Sequence, residues 1–511
     1  MMKKLLPAIA LILVALTASA QNYAADSARI EQHFKKADQI LNVLRDFRFD
    51  AYAQVEWQRA DTAGISSVQG GNFPVAANNR FLVRRGRFRL TWQHEIVNKC
   101  GDSIKVGEFM FQMDATEKGF NSVKDFYGRI ADPWTGWFSF EGGIFRRAFG
   151  YEAPIVNSTS ESPEQARVIQ LLMPQESELG ATAIIESPRT FKPVYFRVDA
   201  AVVNGTGIGS TGAGQSGINT GTYQSAKDFI GRIFIGRIWI VSSDLQISVN
   251  ASGSVYNGRV LQTTNNVYEV VKNSAGEDIF KNVTAGTADT AGKYHTYYAR
   301  DYYGGHLQLN LDYKIAGKAS ATTMLRGEYI SGTEPGTSGS SAVPLGTGTG
   351  VPTTTTTTYV ETPTGGTVPV TLTTNGVDLY IRKFNGIIAT FTQSFHNQMG
   401  KQTINQDLVF KFDSYNPNTQ VTAKGLTKAN NFGTTDLTYN TFSFGYTISP
   451  LPYFKLMLWY DHVVNESSCL AGFTSDYKKD DVFTLRTQFT IDTWWFNKRG
   501  LNNDNQIVRQ Y

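Results

Sequence analysis

The chain has 511 residues, 18% of them charged and 41% hydrophobic, with a formal net charge of +4. Subtracting Lys3 and Lys4 of the N-terminal stretch leaves +2, which excludes the strongly basic profile of a nucleic-acid binder. Polar residues interrupt every later apolar run, which excludes a membrane helix, whereas 13% aromatics and 47 glycines suit a chain of many strands and turns.

In chain order, residues 1–20 read as a secretory signal. Lys3 and Lys4 give a basic start, Leu5 to Leu16 an apolar run, and Ala18-Ser19-Ala20 a small-residue cleavage site. The run is shorter than the roughly 20 residues a membrane anchor needs. Residues 21–45 follow as a short helical, periplasmic segment. In it Ile30, Phe34, Ala37, Leu41 and Leu44 recur at spacings of four and three, suiting a coiled-coil seam or an amphipathic helix on a barrel mouth.

From Asp46 the period changes to two. In RFDAYAQVEW, Phe47, Phe49, Ala51, Val55 and Trp57 share one side, with Arg48, Asp50, Gln54 and Glu56 on the other. In FLVRRGRFRLTW, Phe88, Leu90 and Trp92 oppose Arg85, Arg87 and Arg89. GEFMFQMDA sets Phe109, Phe111 and Met113 against Glu108, Gln112 and Asp114, and HLQLNLDYK and VFTLRTQFTI repeat the pattern. A soluble sheet with a solvated basic face would also alternate, so the alternation alone does not decide between sandwich and barrel.

The connections decide it. Arg59–Asn79, Tyr151–Gln175, Asn204–Ala226, Asn257–Ala299, Gly332–Gly376, Ser414–Thr435 and Asn465–Asp480 are long and rich in Gly, Ser, Thr and Asn. They alternate with short turns such as NKCGDS, DPWTG, VSSD and SPLPY; only the connection near Thr116–Asn121 is short out of turn. Long loops at one end and short turns at the other predict an all-β fold: a transmembrane antiparallel β-barrel of about 16 strands, with short periplasmic turns and long extracellular loops. The barrel domain is expected over 46–491 and a C-terminal tail over 492–511. Cys100 falls in a short turn and Cys469 in a long loop, so at opposite rims they cannot meet the Cα separation of about 7 Å that a disulfide allows. Thr353–Thr358 reads as low-complexity external loop.

Several stretches then occur in order: GGIFRRAFGYE (Gly142–Glu152), MPQESELGA (Met173–Ala181), VVNGTG, KDFIGRIF, RDYYGGHLQLNL (Arg300–Leu311), LRGEYISGTEPG (Leu325–Gly336), FDSYNPNT and FTLRTQFTI. Together, from about Phe47 to Ile491, the chain resembles the phosphate-selective porin O and P family, particularly its general-porin relatives. The resemblance implies an outer-membrane porin of a Gram-negative bacterium, trimeric and sixteen-stranded, whose third long loop, about Gly150–Gln175, folds into the channel. It implies that Arg85, Arg87 and Arg89 line the water-filled lumen with their charges hydrated. The same parity places Arg129, Arg197, Arg326, Lys411 and Arg486 inside, together with Glu108, Asp114, Asp199, Glu328 and Asp407. Pairing with a neighbouring acid is the plain structural reading for most of these bases, as for Arg197 with Asp199 and Arg326 with Glu328. The constriction loop and its approach would carry Arg146, Arg147, Glu152 and Arg167. Glu161, Glu164, Glu176 and Glu178 make that region more acidic than a phosphate-specific path requires. The expectation is therefore a passive pore for small hydrophilic solutes, general or mildly anion-preferring, whose partners are outer-membrane lipid and such solutes.

Two other classes stay open: a binding or adhesion barrel acting through its loops, and an outer-membrane hydrolase. His33, His94, His295, His306, His396 and His462 sit in no nucleophile motif, and no G-x-S-x-G, P-loop or paired-histidine metal spacing is present. No catalytic residue, cofactor or metal is expected.

Overall fold

The computed structural model describes residues 46–65, 67–97, 103–116, 119–173, 176–187, 193–205, 226–284, 286–288, 295–316, 319–341, 353–361, 367–375, 378–399, 402–422, 424–466 and 480–492. The expected signal segment 1–20, residues 21–45 for which a helix is expected, Cys100, Cys469 and the expected tail after residue 492 lie outside them. Strands β1 (Phe47–Ala60), β2 (Asn79–Val97), β3 (Ser103–Thr116), β4 (Gly119–Ala131), β5 (Phe138–Arg146), β6 (Ser177–Glu186), β7 (Val194–Val203), β8 (Asp228–Ser242) and β9 (Leu245–Leu261) pair in chain order. The circuit continues through β12 (Tyr297–Ala316), β13 (Ala319–Gly336), β16 (Leu379–Met399), β17 (Gln402–Asn416), β18 (Tyr439–Leu451), β19 (Phe454–Asn465) and β20 (Val482–Asp492). The last strand returns to the first, with Glu56 opposite Arg486 and Ala60 opposite Val482.

The sheet has 18 strands, and two of them, β10 (Val267–Lys272) and β11 (Asp278–Asn282), form a hairpin outside the circuit, leaving a closed barrel of sixteen. Closure leaves no strand edge for lipid to face, the condition for backbone to cross a bilayer as sheet. The 20 residues of β12 and 21 of β16 exceed the roughly 9–11 a tilted strand needs to span, so the wall continues past the membrane. Val, Ile, Phe and Tyr at alternate positions favour this extended, pleated backbone.

Polarity is inverted relative to a soluble sandwich. Phe88, Phe126, Phe140, Ile233, Leu307, Leu325, Phe410 and Phe489 are exposed, while Gln54, Glu56, Arg85, Asp199, Arg232, Gln308, Lys411 and Arg486 are buried. Apolar groups outside and charges inside are what lipid around a polar interior demands.

Two loop regions depart from the featureless reading of the sequence. The β10–β11 hairpin lays Val267 to Glu269 parallel to Leu379 to Ile381 of β16. There Phe280 joins Val421, Leu426, Phe432 and Leu437 of the 417–438 connection in an apolar cluster. Thr353–Thr358, expected as plain loop, belongs to β14 (Thr353–Glu361), which pairs with β15 (Thr367–Asn375); β-branched threonines favour extended backbone.

Candidate functional site

Between β5 and β6, the described residues 147–173 and Glu176 fold inside the barrel, starting slightly before the expected Gly150–Gln175. The turn inward starts at Gly150, whose φ is +61°. A Cβ there would lie 1.9 Å from the Glu328 carboxylate, so only glycine serves. That carboxylate accepts the backbone N–H groups of Tyr151 (3.0 Å) and Glu152 (3.1 Å). The exit is strained as well. Glu176 holds φ +63° without being glycine, a conformation that persists only when surroundings fix it. Here Arg87, Arg146 and Asn157 all bind its carboxylate.

The loop carries one short helix, α1 (Arg167–Leu172). Val168, Ile169 and Leu172 of α1, with Phe149, are buried in an apolar cluster with Ile230, Tyr256, Tyr302, Ile330, Phe384, Ile388 and Tyr415 of the wall. Contact is close: a Cβ on Gly386 would sit 2.7 Å from Val168 Cγ2. Each such side chain contributes about 1.5–3 kcal/mol on burial. This apolar contact fastens the loop to the wall from β8 to β17.

The opposite wall holds the loop by charge. Glu164 receives Arg84 Nε at 2.8 Å, Arg85 Nη2 at 2.7 Å and Arg486 Nη2 at 2.8 Å. Arg486 also pairs with Glu56. Burial opposes ionisation of Glu164, but the three guanidiniums outweigh it and hold the carboxyl well below its ordinary range. Glu176 and Glu161 follow the same logic: burial is overcome by Arg87 and Arg146 in one case and by Arg326 in the other. Gln488 and Lys455 bind the carbonyl oxygen of Ser158 at 3.2 and 3.3 Å.

The expected site residues occupy the following places. Arg85 and Arg87 are on the inner face but only 4% and 3% exposed, which corrects the expectation of hydrated charges: the loop covers them, and carboxylates replace water. Arg87 pairs with Asp114 (3.0 Å), and Arg89 with the Gln112 amide oxygen (2.9 Å) and Asp50 (3.7 Å). Arg129 meets Glu186 at 3.0 Å, and Arg197 meets Asp199 at 2.7 Å, the neighbour its spacing suggested. Arg326 does not pair with Glu328: it binds Glu161 of the loop at 3.2 Å and lies over the Tyr151 ring, because Glu328 is engaged by loop backbone. Lys411 pairs with Glu152. Arg146 donates to the Ile155 carbonyl oxygen (2.7 Å), and Arg147 to Glu178 (2.8 Å). The Arg167 guanidinium lies 4.0 Å from the Tyr439 ring centroid, and its backbone N–H donates to Asp413 at 2.6 Å.

Sequence parity missed Arg84. Phe81 and Val83 point outward, as do Phe88 and Leu90, so the alternation changes phase between Arg84 and Arg85 and both reach Glu164. An extra residue in a strand has this effect, and nothing local in RRGR announces it. Arg232, paired with Asp199 at 2.9 Å, and Arg300, paired with Asp228, were also missed. Among the described residues no His, Cys, Asp and Glu cluster has metal-binding geometry.

A closed sixteen-stranded antiparallel barrel, apolar outside and charged within, is an outer-membrane barrel of a Gram-negative bacterium. No family model and no curated protein matches the chain. Solved structures similar to it include OprB of Pseudomonas putida, 8% identical, with 88% of this chain and 96% of that one covered at a TM-score of 0.44. The outer membrane channel DcaP of Acinetobacter baumannii is 8% identical over 87% of this chain and 97% of that one, with a TM-score of 0.40. An anion-selective porin from Comamonas acidovorans is 8% identical over 87% and 98%, with a TM-score of 0.38.

Proposed function

We propose that the chain is a porin: a passive, water-filled pore for small hydrophilic solutes and ions, narrowed by residues 147–176. The observation that carries this is the loop itself, seated inside the barrel and bound to both the β1–β2–β20 wall and the β8–β17 wall. A barrel acting through external loops as an adhesin has no need of an inward loop fastened at both ends. Selectivity is weak, because Arg85, Arg87, Arg129, Arg197, Arg326, Lys411 and Arg486 each meet a carboxylate. Paired charges present little net field to a passing ion. Neither phosphate specificity nor the mild anion preference expected from the arginines draws support from that pairing. The chain's motifs support membership of the phosphate-selective porin O and P family and, with it, a homotrimer; chemical cross-linking of the purified protein tests the trimer.

Planar bilayers test the pore. Steady single-channel conductance, with a reversal potential near zero under a salt gradient, is expected. Absence of conductance from a correctly folded protein refutes the pore, and a strong anion or cation potential refutes the account of compensated charge.

A further inference from the structure

The outer face of the barrel carries a charge within the surface that meets lipid. Arg237 on β8 shares that face with Ile233, Ile235 and Trp239 and is exposed with them. Its neighbours in register, Val194 of β7 and Val249 of β9, are apolar. Among the described residues its guanidinium forms no ion pair or hydrogen bond, and it lies 5.1 Å from the centroid of the Trp239 ring.

Register fixes its depth. On β9 the next outward charge is Arg259, ten residues beyond Val249 toward the long-loop end. Ten residues of strand span about 34 Å, or about 25 Å along the axis at a tilt near ~40°, which is the height of the apolar band of such barrels. Between the two levels the outward positions of β8 and β9, Phe229, Ile233, Ile235, Ala251 and Val255 among them, are uncharged. Arg259 thus marks the external edge of the band, and Arg237 the edge at the short, periplasmic turns. An arginine on the lipid face is costly at mid-bilayer and nearly free at the interface. At its level Arg237 faces the headgroups of the periplasmic leaflet.

We propose that Arg237 and Trp239 form a headgroup site for an anionic phospholipid of that leaflet; the proposal needs the membrane barrel but stands whether or not the barrel conducts. The guanidinium fork matches two phosphate oxygens, and an indole suits the interfacial region beside it. Charge selects the class of lipid. The outward positions of β7, β8 and β9 around Arg237 carry no carboxylate, and Asp244 in the adjoining turn is held by Lys314 at 2.8 Å. A zwitterionic headgroup would bring an ammonium that nothing there accepts, whereas an anionic one brings only what Arg237 takes. The surface on the membrane side of Arg237 suits acyl chains. Gly253 of β9 lies opposite Gly305 of β12, and a Cβ on Gly253 would meet nothing within 4 Å. Ile233, Ile235 and Leu307, all exposed, border this shallow floor.

The test is native mass spectrometry of the full-length protein in detergent, titrated with dioleoyl phosphatidylglycerol or dioleoyl phosphatidylethanolamine. The wild type should bind phosphatidylglycerol with a Kd about tenfold lower than that for phosphatidylethanolamine. Arg237→Gln should weaken phosphatidylglycerol binding about tenfold and leave phosphatidylethanolamine binding, assembly mass and gel migration unchanged. Arg237→Lys, which keeps the charge but loses the fork, should fall between the two and takes its place should the glutamine variant not fold. Equal affinity of the wild type for both lipids overturns the proposal, as does undiminished phosphatidylglycerol binding by either variant. A smaller assembly in the variant than in the wild type also overturns it, because the guanidinium would then be meeting a second copy of the chain.

Discussion

Replacing Glu164 with alanine removes the one carboxylate that three guanidiniums share. Their losses differ. Arg486 keeps Glu56, and Arg84, with 27% of its side chain exposed, can turn toward water. Arg85, at 5%, has neither escape and is left buried with only the Gln54 amide oxygen and the Pro163 carbonyl oxygen as acceptors. Stranding a buried charge costs about 3–5 kcal/mol, and that range is the expected loss of stability. Glu164→Gln, which keeps volume and an acceptor, should fall between. The assay is the denaturant midpoint at which the faster-migrating, unheated gel band disappears, with single-channel recordings beside it; the midpoint should drop and current noise rise as the loop loosens. The clamp also has a pH signature. The Glu164 carboxyl titrates lower in the folded barrel than in the unfolded chain, where it is ordinary at about 4.3. Its stabilisation is therefore fully present above about pH 5 and is lost as pH falls through the folded value. A Glu164→Ala barrel with wild-type midpoint and quiet current would refute the clamp.

Replacing Arg85, Arg87 and Arg89 together with glutamine strips cations from Glu164, Asp114, Glu176 and Asp50, so the midpoint should fall and the reversal potential move toward cations. The move should be larger at 0.01 M salt, where the Debye length is about 30 Å, than at 1 M, where it is about 3 Å; an unaltered potential at both salts would contradict it. At the β4–β5 turn, Asp132 accepts bonds from the Trp134, Thr135 and Phe138 N–H groups and the Thr135 hydroxyl. Slight burial raises its pKa, but these bonds bring it down to about 2. Asp132→Ala should cost about 1 kcal/mol, and the difference from wild type should vanish as pH falls from about 4 through 2; a difference that persists at low pH would implicate something other than the carboxylate. Non-reducing gels should show no Cys100–Cys469 crosslink, and a mapped bond would mean that the assignment of long and short connections is wrong.

The wall was legible because its signal is local. Alternation in GRFRLTW states which side of a strand meets lipid, and the lengths of the connections state which end is which. The inner loop was legible only in outline. Glu161 and Glu164 stand in the sequence as acidic loop residues, but that they bind Arg326 on β13 and Arg85 and Arg486 on β2 and β20 depends on contacts spanning up to 322 positions. Val168, Ile169 and Leu172 look like an ordinary short apolar run, and only the closed barrel supplies the inner wall they cover. Arg84 was invisible for the opposite reason, since a one-residue change of phase leaves composition and period almost intact.

Glu164 lies about a third of the way along the chain, whereas its three arginines belong to the second strand and to the last. Arg84 and Arg85 are only 80 and 79 positions away, but the pair with Arg486 is drawn across the line where the sheet meets itself, and a chain without its last strand cannot make it. Sealing the cylinder and completing the clamp on the inner loop become one event, like a drawstring knotted from inside the bag. A sealed barrel is therefore already a narrowed one. Mature channels should form a single conductance population, and wide, loop-free barrels should appear only among assemblies whose first and last strands have not yet joined.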